Sequence, residues 1–181
     1  MSHSQEFELE GVIPATLLAF DKDYQINEKA SRKHIKECAV TNGISAITVN
    51  GHSSEIHACD FEEQKRILSF SLEEVGDFMP IINGVYADGS IEAAKIAKMS
   101  YKTGASALLC FPPQSMAMGG HLRPEMAVEH FKRIADATEP TSEAPIYGAR
   151  FGSISLNIIE NPDVPLNLAI STYNCSLITK T

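Results

Sequence analysis

Residues 80–111 read PIINGVYADGSIEAAKIAKMSYKTGASALLCF, and the order of residue types in this stretch decides the fold. PIINGV (80–85) is an apolar run without the polar alternation of a half-exposed strand, so it reads as a strand covered on both faces. From Ser90 to Thr103 the charged residues Glu92, Lys95, Lys98 and Lys102 recur at intervals of three, three and four. That spacing makes one polar stripe along an otherwise apolar helix. Gly104 stands where a glycine closes a helix, and ASALLCF (105–111) follows as a second apolar strand. Strand, amphipathic helix and strand make one parallel βαβ unit.

The same pulse extends in both directions. GVIPATLLAF (11–20) is a short buried strand ended by the DKD turn, and a helix opens at the N-cap Asn27 and closes at Gly43. ISAITVN (44–50) is a β-branched strand; Asp60 and Glu63 then have the spacing of a capping box that opens a helix through FEEQKRILSFSLEEV. Downstream, Pro124 suits a first helical turn before EMAVEHFKRIADA, and APIY (144–147) opens a fifth strand. Strand starts recur about every thirty residues, the length of a βα unit. Two α/β architectures fit: an open doubly wound sheet or part of a (β/α)8 barrel. No GxGxxG or GxxxxGK[ST] follows any strand, which removes the usual nucleotide-binding reason for the open sheet. Periodicity separates the two no further.

Composition narrows function. The chain has 181 residues, 44% hydrophobic and 21% charged, enough for one domain with a real core. A net charge of −8 argues against nucleic acid and against anionic lipid as partners. No apolar stretch approaches the length of a membrane span, and the polar start MSHSQEFELEG does not read as a secretory signal. Cys38, Cys59, Cys110 and Cys175 are scattered without a CxxC pair, so a reducing, cytoplasmic setting is expected. From about residue 140 the pulse stops: between Phe151 and Thr181 only Glu160, Asp163 and Lys180 are charged. Residues 1–140 therefore read as one α/β unit and 141–181 as a divergent tail expected to be poorly ordered.

Several landmarks carry a family resemblance. They are the LAF-D turn (18–21), the segment NG-[apolar]-VNGHSSE (42–55), FEEQKRIL (61–68), PIINGVYADGSIEAAKIAK (80–98), GASALLCFPP (104–113) and HFKRIADAT (130–138). In this order and spacing the chain resembles the N-terminal half of the dihydrodipicolinate synthase / N-acetylneuraminate lyase family. The resemblance implies a TIM barrel, here truncated or incomplete at about four to five βα units, which cannot close an eight-strand barrel. Self-association as a homo-oligomer, or aggregation through open sheet edges, is the expected consequence.

The resemblance also implies class I aldolase chemistry on pyruvate or a related 2-oxo acid, with no cofactor. A lysine amine condenses with the ketone, the iminium withdraws electrons, and the adjacent carbon loses a proton or breaks a bond. Fixed donors must meanwhile hold the substrate carboxylate. By the family's G-[TS]-T-G-E pattern, the substrate-binding turn is Gly51, His52, Ser53, Ser54 and Glu55. Gly51 lets the backbone approach a ligand. Ser53 would offer hydroxyl and amide to the carboxylate. His52 stands where the family has a proton-relay hydroxyl, and Ser54 replaces a glycine. The competing reading of this turn is a plain strand-to-helix loop whose serines bond local backbone groups.

The catalytic pair is less well written. Tyr147 is the candidate phenol, but its context is PIYGAR rather than the family's YN-x-P. Lys180, in SLITKT, is the only lysine beyond residue 140 and lacks the family's G-[apolar]-K-[DE] context. A Schiff-base lyase or synthase impaired by a missing lysine is therefore weighed against a non-catalytic relative. The latter would bind a carboxylate or associate with a full-length family member. A metal-dependent aldolase using His52, Glu55, His57 and Cys59 is the lesser alternative, since the histidine spacing of five fits no standard ligand pair. His34 and His130 fall within helices and are expected at the surface or its boundary.

Overall fold

A computed structural model describes residues 11–118 and 122–138, together with strands at 146–150 and 169–172. In chain order the elements are α1 (Glu28–Ala39), β1 (Ile47–Val49), two short 3-10 turns (His52–Ser54 and Ile56–Ala58), α2 (Phe61–Val75) and β2 (Ile81–Val85). There follow α3 (Ser90–Thr103), β3 (Ala107–Cys110), the one-turn α4 (Gln114–Ala117), α5 (Pro124–Asp136), β4 (Ile146–Arg150) and β5 (Ala169–Thr172).

All strands pair in parallel in one sheet of spatial order β1-β2-β3-β4-β5. That order separates the two architectures that periodicity leaves open. A doubly wound sheet reverses its strand order at a switch point, and its helices cover both faces. Here chain order and spatial order coincide, so right-handed crossovers bring every helix to one face. A twisted parallel sheet covered on one face only is an arc of a (β/α) barrel.

Side-chain alternation along the strands bears this out. Ile47, Val49, Ile81, Val85, Leu108 and Cys110 join the main core with the helices. Their neighbours Ala46, Ile82 and Ala107 form a second, smaller cluster with Ile13 and Leu109 on the opposite face. That face would line the barrel's interior.

Local structure follows the expected signals with informative exceptions. Asn27 caps α1 by accepting the Ala30 N–H at 3.1 Å, but α1 ends at Ala39, before Gly43. Thr41 Oγ1 bonds back to the Glu37 carbonyl at 2.8 Å, and Gly43, at φ +89°, closes the extra turn that follows. The capping box is present in full: Asp60 Oδ1 accepts the Glu63 N–H and Glu63 Oε2 accepts the Asp60 N–H, both at 2.8 Å. Asp60→Ala is expected to lower stability by about 1 kcal/mol, read as a lower urea midpoint at unchanged slope.

The strand expected over residues 11–20 is reduced to parallel bridges Val12↔Ile44 and Ala15↔Thr48, between which the register slips by one residue. Pro14 explains part of this, because it has no N–H to give; its carbonyl still accepts from Thr48 N at 2.8 Å. His130 departs furthest from expectation. It is 2% exposed rather than at the boundary, with Nδ1 3.0 Å from Ser90 Oγ on α3. The packing of α3 on α5 covers it.

Candidate functional site

After β1, Asn50 turns the chain with φ +53°, a left-handed value that asparagine tolerates better than most residues. A buried polar network holds it there. Asn50 Nδ2 donates to the Gln64 carbonyl at 2.9 Å and to Asn83 Oδ1 at 2.8 Å. Asn83 Nδ2 donates in turn to Ser100 Oγ at 2.7 Å and to the Gly84 carbonyl at 2.9 Å. Asn50, Asn83 and Ser100 are fully buried. The turn also brings the Asn50 carbonyl against Gly84, where an added Cβ would lie 1.9 Å from that oxygen. Glycine at 84 is thus a condition of how the chain leaves β1.

Gly51 itself is extended, at φ −87° and ψ 179°. A Cβ there would make only ordinary contacts at 3.7–3.9 Å. Conformation does not demand glycine at 51, and the residue is buried.

His52–Ser54 then forms a single 3-10 turn, and Glu55 leaves it at φ +54° with its side chain exposed. Both serine hydroxyls donate to one acceptor, the Thr16 carbonyl: Ser54 Oγ at 2.7 Å and Ser53 Oγ at 3.2 Å. Thr16 is itself buried, with Oγ1 donating to the Thr48 carbonyl at 3.1 Å. The serine hydroxyls thus bond a backbone carbonyl, but one far away in sequence rather than a local one. The Ser53 N–H is different. It has no partner among the described residues, and Ser53 is exposed. Of the donors assigned to the carboxylate, the Ser53 amide is the one left open.

His52 is half-buried among rings at the strand ends. Its centroid lies 4.1 Å from that of Phe111 and 5.2 Å from that of Tyr86, both edge-on, and 6.5 Å from that of His57. Burial, and after it the neighbouring His57, lower its pKa, so the imidazole is neutral near neutral pH and able to accept a proton. Tyr86 is held in its phenol form by burial and by Asp88. Beside these rings a pocket of about 260 Å³ opens between the Ile56–Ala58 turn and the first turns of α2 and α3. His57, Cys59, Gln64, Tyr86 and Glu92 line it. Burial pushes the Cys59 thiol up to about 11, which makes it a poor nucleophile. Among the described residues no group of three His, Cys, Asp or Glu side chains is placed to hold a metal ion.

Tyr147 lies in β4, in register with Leu109 of β3 and Ala169 of β5. Leu109 in turn pairs with Gly84, so Tyr147 stands at the level of the sheet from which the Gly51 turn departs. Lys180 lies outside the described residues. Every described lysine is exposed, from Lys22 to Lys132, so none of them is a desolvated amine.

Sequence reading alone misses Thr16, Asn50, Asn83 and Gly84, which shape the turn. A polar Asn-Gly pair inside the apolar run PIINGV was the available signal for the last two.

The chain resembles proteins of known identity. It is 32% identical over 105 residues to the 4-hydroxy-tetrahydrodipicolinate synthase of Bartonella henselae, covering 58% of this chain and 35% of the relative. With the enzyme of that name from Salinibacter ruber it shares 31% identity over 173 residues, 93% of this chain and 52% of the relative. The fold matches the chloride-inhibited dihydrodipicolinate synthase of Acinetobacter baumannii complexed with pyruvate, with a TM-score of 0.73 at 22% identity, over 91% of this chain and 56% of that one. It also matches a catalytic-lysine mutant of the Ruminococcus gnavus sialic acid aldolase, with a TM-score of 0.74 at 19% identity, over 91% and 53%. The chain thus spans about a third to a half of the length of these curated relatives. The model of the dihydrodipicolinate synthetase family matches residues 8–142, three quarters of the sequence, and the chain belongs to that family.

Proposed function

We propose that this chain carries the carboxylate-holding part of a Schiff-base lyase or synthase site for pyruvate or a related 2-oxo acid. The observation that carries the reading is the turn at the carboxyl end of β1, where active sites of (β/α) barrels form. There Ser53, next to the glycine at 51, is exposed and has an N–H without a partner among the described residues. An open amide next to the buried Gly51 suits an anion better than it suits a neutral group. The neutral imidazole of His52 is a proton acceptor within this turn and would take the place of a hydroxyl relay. Tyr147 is the phenol that would share the relay, and Lys180 the amine. A cytoplasmic setting belongs to the same reading, supported by free thiols at Cys38, Cys59 and Cys110. So does association with a second copy or with a longer family member, which light scattering of the purified chain, alone and mixed with that member, would test.

One observation favours a second reading, in which the chain binds the 2-oxo acid without transforming it: the exposure of every described lysine. Reduction with borohydride in the presence of pyruvate separates the two. The lyase reading expects one lysine to gain the mass of the reduced ligand, with Lys180→Ala abolishing the adduct. Saturable pyruvate binding without an adduct leaves the binding reading alone. Neither binding nor adduct defeats both.

A further inference from the structure

The Thr16–Leu17 peptide group is gripped at both ends. Its carbonyl accepts the hydroxyls of Ser53 and Ser54 from the candidate turn. Its N–H, belonging to Leu17, donates to Nε2 of His34 on α1 at 3.1 Å. One turn earlier on the same helix face, Ser31 Oγ accepts the Ala19 N–H at 3.1 Å. The helix therefore grips the segment 16–19 at two points, and that segment in turn holds the candidate turn. We infer that His34 is a positioning residue for the Gly51–Glu55 turn, acting through the Thr16–Leu17 peptide. This inference rests on the carboxylate-holding reading for its functional meaning, though not for its geometry.

The chemistry of the link is specific to a neutral imidazole. Accepting at Nε2 requires the proton to sit on Nδ1. A doubly protonated ring has donors at both nitrogens, so the Leu17 N–H would face a donor and the contact would be lost. The groups hydrogen-bonded to the ring among the described residues are the Leu17 amide and the Cys38 thiol from α1 itself, whose sulfur is 3.7 Å from Nε2 and 4.0 Å from Nδ1. That thiol stays protonated, because burial, and after it Glu37, raise its pKa. Glu37 is paired with Lys33 at 3.7 Å, and no carboxylate lies within ion-pair distance of His34 among the described residues. Acid would therefore release the Leu17 amide, tilt the peptide, and shift the acceptor on which Ser53 and Ser54 depend. Peptide rotation is the transmitting motion, since the two ends of one planar unit cannot move independently.

Amide NMR of the full chain tests this, with pyruvate titration as a second readout. In the wild type, the Ser53 and Ser54 amide shifts should titrate with the midpoint shown by the His34 ring proton itself. His34→Gln, whose carbonyl accepts at any pH, should remove that titration while keeping the shifts near their high-pH values. His34→Ala should displace the Ser53 and Ser54 amides at all pH values. It should also weaken pyruvate binding about threefold, the worth of one solvent-accessible hydrogen bond, with recovery in His34→Gln. Ser53 and Ser54 amides that follow only the midpoints of His52 or His57, and are unmoved in His34→Ala, overturn the inference. Should His34→Ala fail to fold, the wild-type and His34→Gln titrations decide it. A wild-type chain that never binds pyruvate removes the carboxylate reading, while the amide shifts still decide whether His34 positions the turn.

Discussion

Replacing Gly84 by alanine is expected to cost more than about 3 kcal/mol and to leave little folded protein. The new methyl carbon would stand 1.9 Å from the Asn50 oxygen, 2.6 Å from its carbonyl carbon and 3.2 Å from the Gly51 nitrogen. All of these are backbone atoms, so no side-chain rotation relieves the overlap. Nor is the Asn50 peptide at liberty to withdraw, because the Asn50 side chain is bonded to the Gln64 carbonyl and to Asn83 Oδ1 inside the core. Overpacking of a core by a methylene typically costs about 1–3 kcal/mol when side chains can yield, and here they cannot. Gly89 is the matched control. A Cβ there meets nothing within 4 Å and the backbone is extended at φ −94°, so Gly89→Ala should cost only what alanine loses against glycine as the N-cap of α3, about 1 kcal/mol at most. Urea unfolding of both variants, followed by circular dichroism, checks the pair. Equal midpoints would mean that the exit from β1 does not run over Gly84.

That glycine shows where legibility stops. Within 80–111 the helix over 90–103 and its closing glycine were legible to the residue, because a polar stripe and a left-handed cap are local signals; Gly104 has φ +108°. The capping box at Asp60 and the proline at the start of α5 were legible for the same reason. What periodicity could not give was strand order, since a run buried on both faces looks alike in a barrel and in a doubly wound sheet. It also misjudged His130. A lone histidine in a helix carries no mark of the serine 40 residues away that makes it acceptable in the core. The requirement at Gly84 is non-local in the same sense, being set by Asn50 just past the end of the neighbouring strand.

The candidate turn was legible only through its likeness to a family. Its residues do sit together at the end of β1, but the hydroxyls of Ser53 and Ser54 face the Thr16 carbonyl, a partner invisible without the strand pairing that brings residue 16 to residue 48. Tyr147 is near in register and Lys180 lies outside the described residues, so the site is written most fully where strands are closest in sequence. The order of difficulty is physical. Caps and stripes depend on residues three or four apart, whereas a binding turn depends on three strands meeting.

Asn83→Leu is expected to be the other severe substitution, lowering stability by about 3 kcal/mol and loosening the turn as well. Leucine fills much the same space but withdraws the acceptor at 2.8 Å from Asn50 Nδ2 and the donor at 2.7 Å from Ser100 Oγ. Asn50 is fully buried and its Oδ1 has no hydrogen-bond partner among the described residues. After the substitution its amide would keep only the Gln64 carbonyl. A buried polar group left without its bond costs about 1–3 kcal/mol, more than an ordinary hydrogen bond contributes, because the desolvation is then uncompensated. Ser100 should behave differently from Asn50, since its hydroxyl still donates to the Ile96 carbonyl at 2.8 Å. Adding Ser100→Ala to Asn83→Leu should therefore cost about 1 kcal/mol less than it does in the wild type, for the bond it would break is already gone. A double-mutant cycle by urea unfolding measures that coupling. Strict additivity would mean that Asn83 and Ser100 do not share a bond. The asparagine that sets the left-handed step before Gly51 would then be held by Gln64 and by an Asn83 that has no anchor on Ser100.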